Sequence, residues 1–147
     1  MSEALLRIEN LSTWIDTGGE PVRAVDGLSF EIERGETFAL LGESGCGKSI
    51  TALSIMRLLP DAGRVTDGRV LLDGIDLLQL PETDMRSIRG ARIGMIFQEP
   101  MLSLNPVLTI GAQIVEVLEQ HTDLRPREAE HKAPELLDTV GVPDSAR

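Results

Sequence analysis

Polar and apolar residues alternate along Leu5-Leu6-Arg7-Ile8-Glu9, and again from Val22-Arg23-Ala24-Val25 through Leu28-Ser29-Phe30-Glu31-Ile32. A period of two sends successive side chains to opposite faces of a sheet, so these segments predict half-buried strands. Thr17-Gly18-Gly19-Glu20-Pro21 supplies the turn between them, and Arg34-Gly35-Glu36 a second turn. Thr37-Phe38-Ala39-Leu40-Leu41 drops the alternation and reads as a strand buried on both faces. Beyond Ser49 the period changes, with Ile50, Leu53 and Met56 followed by Arg57-Leu58-Leu59 at helical spacing. Pro60 to Gly68 is a connection, and Arg69-Val70-Leu71-Leu72 closed by Asp73-Gly74 predicts a strand entering a tight hairpin. Arg92 to Phe97 is another short apolar strand.

The last third of the chain is helical by the same criterion. Ile110, Ile114, Val117 and Leu118 make one apolar stripe from Thr109 onward, and a further helix begins near Pro126 and ends at Gly141, ahead of Val142-Pro143. Pro134 lies inside that second segment; lacking an N–H, it is expected to kink or split the helix between His131 and Leu136. Antiparallel strands beside a parallel strand-loop-helix unit imply a mixed α/β architecture with two sheets.

Composition narrows the setting without choosing a function. A chain of 147 residues has room for one domain. Its net charge of −10, spread along the chain, argues against nucleic acid or an anionic membrane surface as the main partner. The single cysteine, Cys46, permits no internal disulfide and fits a reducing compartment. Met1-Ser2-Glu3-Ala4 has no basic start of a signal peptide, and no apolar run approaches the roughly 20 residues that span a bilayer. A membrane role is therefore expected to act through a partner.

The candidate chemistry sits where the period changes. Gly42-Glu43-Ser44-Gly45-Cys46-Gly47-Lys48-Ser49 is a complete G-x-x-x-x-G-K-[ST] phosphate loop, set between the apolar run and the helical segment that opens at Ile50. Gly42, Gly45 and Gly47 let the backbone take positive φ and approach an anion, so that successive N–H groups point at phosphate oxygens. The helix N-terminus adds partial positive charge. Lys48 supplies a point charge for the β- and γ-phosphates, and the Ser49 hydroxyl joins the shell of a Mg²⁺ bridging them. An alkylated Cys46 would obstruct the same phosphates. A glycine-rich turn that merely caps a helix is the plain alternative, and the strand-to-helix context weighs against it.

A phosphate loop ordinarily works with an apolar strand ending in an acid that orders the metal. Val70-Leu71-Leu72-Asp73 has that form, but its Gly-Ile-Asp continuation favours the hairpin. No Asn-Lys-x-Asp tetrapeptide for guanine occurs, and no arginine-rich lid of a small-molecule kinase is evident. His121 and His131 lie in polar helical surroundings and are expected to face solvent.

Ala24-Val25-Asp26-Gly27-Leu28-Ser29-Phe30, the loop itself, and Met95-Ile96-Phe97-Gln98-Glu99-Pro100-Met101-Leu102-Ser103-Leu104-Asn105-Pro106 together resemble an ATP-binding-cassette (ABC) transporter subunit of the dipeptide, oligopeptide and nickel importer class. The resemblance covers nearly the whole chain. It implies a P-loop ATPase domain of mixed sheet with an antiparallel β subdomain, incomplete at the C-terminus, holding the phosphate loop at 42–49, a glutamine loop near 98 and the start of a helical subdomain at about 109–147. It implies ATP and Mg²⁺ as ligands, with Gln98 reaching the metal and the attacking water. It implies permease subunits contacted through Glu99 to Pro106, a second ATP-binding subunit, identical or not, and a cytoplasmic place on the inner face of the membrane. The family's adenine-stacking aromatic maps to Ile15, one residue from the nearest ring, Trp14, which is the candidate for that role. The family's signature, its Asp-Glu pair and its switch histidine have no counterpart in these residues, so the chain by itself is expected not to hydrolyse ATP and to expose apolar sheet edge. A P-loop kinase or other non-transport NTPase, and a non-catalytic nucleotide-binding regulatory module, are the rival readings.

Overall fold

The computed structural model describes residues 4–98 and 103–142. Four strands build one antiparallel sheet in the order β2-β1-β3-β4: β1 (Leu6–Ile15), β2 (Val22–Ile32), β3 (Gly63–Leu72) and β4 (Ile75–Asp76). The two alternating segments at 22–25 and 28–32 are one continuous strand, and β1 and β3 run well beyond the expected Leu5–Glu9 and Arg69–Leu72. Asn10, at φ 49°, makes the pairing of β1 slip by one residue against both neighbours: Ile8 faces Phe30 and Leu11 faces Leu28, while Glu9 faces Arg69 and Ser12 faces Asp67. This is a β-bulge, one extra residue inserted into β1. Gly68 makes it feasible, because a Cβ there would stand 2.6 Å from the carbonyl oxygens of Glu9 and Asn10.

Asp73 (φ 47°) and Gly74 (φ 79°) turn β3 into β4, with both central residues in the left-handed region as a two-residue primed hairpin requires. Asp73 is also ion-paired with Arg34. The acid at the end of Val70-Leu71-Leu72 is therefore a turn residue, as its Gly-Ile-Asp continuation indicated.

One face of this sheet carries the core. Ile8, Leu11, Val70 and Leu72 are buried together with Met56, Leu77 and Met85. The helix after the phosphate loop, α1 (Lys48–Met56), is tied to β1 by a buried hydrogen bond of 2.8 Å between Thr13 Oγ1 and Ser54 Oγ. α1 stops three residues short of Leu59. Arg57 adopts φ 52°, its N–H bonds to Ser54 O, and Leu58 N–H reaches back to Leu53 O, a left-handed C-cap that uses up the last carbonyls. The Arg57 guanidinium then donates to the carbonyls of Leu77 and Leu80 at 3.1 and 2.6 Å.

Two expected strands do not form. Residues 37–41 and 94–97 carry no ladder; Ile93 makes only an isolated parallel bridge to Arg89. Leu41 and Ile96 are 88% and 91% exposed. A parallel strand exists only through neighbours on either side, and no described residues pair with 37–41. Phe38 is held instead by stacking on Phe30 of β2, with ring centroids 4.8 Å apart.

The chain divides into two compact units, Met1–Met85 and Arg86–Arg147. A short helix missed by periodicity, α2 (Glu82–Ile88), contains the boundary; it starts with acids at its N-terminus and ends near Arg86 and Ile88. The second unit holds α3 (Ile110–His121) and α4 (Pro126–Thr139). Thr109 caps α3 by accepting from Ala112 N, and Glu128 closes the start of α4 by accepting from Arg125 N at 2.8 Å. Ala129 and Ala133 are the buried contacts of α4. Contrary to expectation, α4 continues through Pro134 without a break. His131 is exposed as expected, whereas His121 is half-buried with its ring against Gly90, where a Cβ would lie 2.7 Å from Nε2.

Candidate functional site

The phosphate loop curls between residue 41 and α1, and its glycines answer to different constraints. Gly45 and Gly47 have φ of 82° and 92°, the left-handed region that points successive amides inward. Gly47 is the N-cap of α1 and lies against β2, where an added Cβ would meet the Ala24 carbonyl oxygen at 2.2 Å. Gly42 does not take the positive φ expected of it; a Cβ there would strike Cys46 Sγ at 2.4 Å, so close approach is what selects glycine.

Lys48 is the hub. Its Nζ donates to Gly42 O at 2.7 Å and Glu43 O at 2.6 Å, and lies 3.4 Å from Cys46 Sγ. The ammonium thus sits inside the arc of the loop, where its charge faces any anion the amides bind. Cys46 is exposed, its N–H bonded to Glu43 O at 3.4 Å. Glu43, Ser44 and Ser49 are exposed at the rim and Ile50 is half-buried on α1. Thr51, two residues beyond Ser49, is buried and spends its hydroxyl on Gly47 O at 3.0 Å. The first turn of α1 has no acidic residue and no side-chain cap, so nothing negative competes with an anion there. These features fit a bound polyphosphate, and the exposed Ser49 hydroxyl is a hard oxygen donor of the kind Mg²⁺ takes.

A cavity of about 390 Å³ borders the loop; Arg23, Ala24, Cys46 and Lys48 are in its wall. Trp14 is outside that wall. It follows Thr13, which is fully buried against α1, so its ring projects from the opposite face of the sheet, with the Arg23 guanidinium 5.0 Å from its centroid. Gln98 is exposed and belongs to the second unit. Of the expected permease segment, residues 99–102 lie outside the described residues. Ser103 to Pro106 are described, and a residue that pattern reading overlooked holds them: Gln113 of α3 accepts from Asn105 N at 2.9 Å and donates to Asn105 O at 3.1 Å. A glutamine on an exposed helical position carries no sequence signal for that clamp, and the pairing of Arg23 with Trp14 becomes visible only once the register is known. Among the described residues no His, Cys, Asp and Glu cluster of metal-binding form occurs, and no helix is long and apolar enough to cross a membrane.

Comparison with known proteins bears directly on this geometry. The family model for ABC transporters matches residues 25–147. The dipeptide transport ATP-binding protein DppD of Bacillus subtilis is 49% identical over 143 residues, covering 97% of this chain and 43% of DppD. The oligopeptide transport ATP-binding protein AppD of the same organism is 53% identical over 138 residues, covering 93% of this chain and 42% of AppD. Among solved structures, the ATP-binding cassette MJ0796, in a dimeric post-hydrolysis state bound to ADP and Pi, superposes with a TM-score of 0.77 at 27% identity over 90% of this chain and 56% of that one. The chain therefore spans less than half the length of DppD and AppD and 56% of that of MJ0796. The mixed α/β cassette fold with its antiparallel sheet is shared, and by the match of its sequence from Val25 onward the chain belongs to the ABC transporter family.

Proposed function

We propose that this chain is the N-terminal part of one nucleotide-binding domain in an ATP-binding subunit that energises peptide import through a membrane permease. The observation that carries the reading is the Lys48 ammonium held within the curled loop by the Gly42 and Glu43 carbonyls, above a helix start free of acids and side-chain caps. The names of the half-identical relatives, dipeptide and oligopeptide transport proteins, support the solute class. In this reading the loop amides and Lys48 hold the phosphates of ATP, Ser49 and Gln98 complete the shell of Mg²⁺, and Glu99 to Pro106 meet the permease, with Gln113 fixing the Asn105 end of that contact. A second ATP-binding subunit completes the site, and the assembly works on the inner face of the membrane. By itself the chain binds nucleotide without turning it over.

Lys48→Ala tests the cradle. Removing the ammonium takes away the charge that offsets the β- and γ-phosphates, and calorimetric titration is expected to show ATP affinity falling at least a hundredfold while the circular dichroism spectrum is retained. Unchanged affinity would sink the assignment.

A further inference from the structure

The outer edge of β3 is open over most of its length. β4 is two residues long and pairs with β3 only at Leu71 and Leu72, so no described residue forms a ladder with the outer side of 63–69. A cavity of about 560 Å³ lies along that edge, with Val65, Thr66, Asp67 and Gly68 in its wall. The strand is irregular at one point: Ser12 of β1 pairs with Asp67 and Thr13 with Val65, so β3 advances two residues while β1 advances one. Thr66 is the extra residue of this second bulge. Residues three apart ordinarily point to opposite faces of a sheet. Here Arg64, opposite Trp14, and Asp67, opposite Ser12, share the face turned away from α1. Both are exposed, and neither has an ion-pair partner among the described residues.

An unpaired strand edge is a template for another strand, and a charge placed on it ordinarily blocks that pairing. The charges on this edge have opposite signs and a self-complementary spacing. Two copies of 63–68 can run antiparallel about a two-fold axis perpendicular to the sheet, with the axis between Val65 and Thr66. Arg64 of each copy then stands opposite Asp67 of the other. The same register sets the β-branched Val65 against Thr66, and Gly63 against Gly68, where no side chains hold the backbones apart. A two-fold contact is isologous, so each charge pair forms twice. Because the bulge puts Arg64 and Asp67 on one face, both pairs meet on the same side of the joined sheet. We propose that the outer edge of β3 is a homodimerisation edge, along which a second copy of this chain continues the antiparallel sheet. The association uses no residue of the phosphate loop and therefore needs no nucleotide.

Analytical ultracentrifugation of the full chain without nucleotide is the test. The unaltered chain is expected to sediment as a dimer in reversible equilibrium with monomer. Arg64→Asp sets acid against acid and Asp67→Arg sets base against base, so each variant alone is expected to dimerise at least about tenfold more weakly. Mixed in equal amounts, the two variants restore both opposite-charge pairs, and a dimer of one of each is expected to return. The mixture also separates charge repulsion from misfolding, since two misfolded chains would not rescue each other. Lys48→Ala is expected to dimerise as the unaltered chain does. An unaltered chain that stays monomeric overturns the proposal, as does a single variant that dimerises undiminished or a mixture that remains monomeric. Dimerisation that is lost in Lys48→Ala, or that needs Mg-ATP, overturns it too, moving the association to the nucleotide site and leaving the reading of the loop intact.

Discussion

Gly47 bears two constraints, of which Gly45 shares only one. Both have positive φ, which costs a non-glycine residue about 1–2 kcal/mol, but only at Gly47 does the missing Cβ make room for backbone, the Ala24 carbonyl oxygen. Ala24 lies near the start of β2, between Arg23 and Val25, which pair with Trp14 and Thr13, so its carbonyl cannot move far without disturbing those pairs. Gly47→Ala is therefore expected to lower the melting temperature by several degrees more than Gly45→Ala, where nothing lies within 4 Å of the added methyl. Equal losses in thermal unfolding would mean that β2 yields. At this scale the loop was legible residue type by residue type, because phosphate chemistry dictates which groups stand at which spacing. Gly42 shows the limit of such reading: the glycine is required, yet by the Cys46 sulfur and not by its own dihedral. The contacts of Arg23 with Trp14 and of Gln113 with Asn105 were invisible for a related reason, since each depends on a neighbour that only register or packing supplies.

Elements were legible where their period was long and local. The antiparallel strands, the Asp73-Gly74 hairpin and helices α3 and α4 follow from patterns that contain their own pairing or their own hydrogen bonds. Residues 37–41 and 94–97 have equally apolar patterns, but a strand buried on both faces is defined by partners, and the pattern cannot provide them. Pro134 marks the converse case. Its missing N–H leaves the Glu130 carbonyl without its helical donor, yet α4 runs through because Ala129 and Ala133 are anchored in the preceding turn. The helix tolerates the defect without being relieved of it. Pro134→Ala restores the bond and removes a ring that costs up to about 3 kcal/mol in a helix interior, so denaturant unfolding is expected to shift to higher midpoint by about 1–3 kcal/mol equivalent. A lower midpoint would show that the half-buried ring contributes packing that outweighs the lost bond.

Over the whole molecule, the residues to which the proposed function gives roles are divided between two units. The phosphate cradle belongs to the first, and Gln98 and the segment clamped by Gln113 to the second. A side-chain amide can orient a water molecule but cannot take its proton, and hydrolysis of a phosphoanhydride needs the attacking water positioned and deprotonated in line with the leaving oxygen. The chain by itself is accordingly expected to show ATPase activity indistinguishable from that of its Lys48→Ala variant in a phosphate-release assay. Turnover that disappears on that substitution would reveal a base among these residues. Large apolar side chains are exposed in both units, Leu41 in one and Ile96 and Val107 in the other, at 88%, 91% and 85%. Leu41 and Ile96 fall in the two segments expected as apolar strands, neither of which forms among the described residues.

The bulge at Asn10 has a consequence of parity. Were β1 to run through Asn10 in regular alternation, Ile8 would share a face with 10, 12 and 14, and the one tryptophan of the chain would turn toward α1 while Thr13 turned away. With it, the odd positions from Leu11 onward join Ile8, Thr13 finds Ser54, and Trp14 is handed to the other side of the sheet to meet Arg23. A single residue four places upstream thus acts as a phase shifter, deciding which surface of the protein receives its aromatic ring.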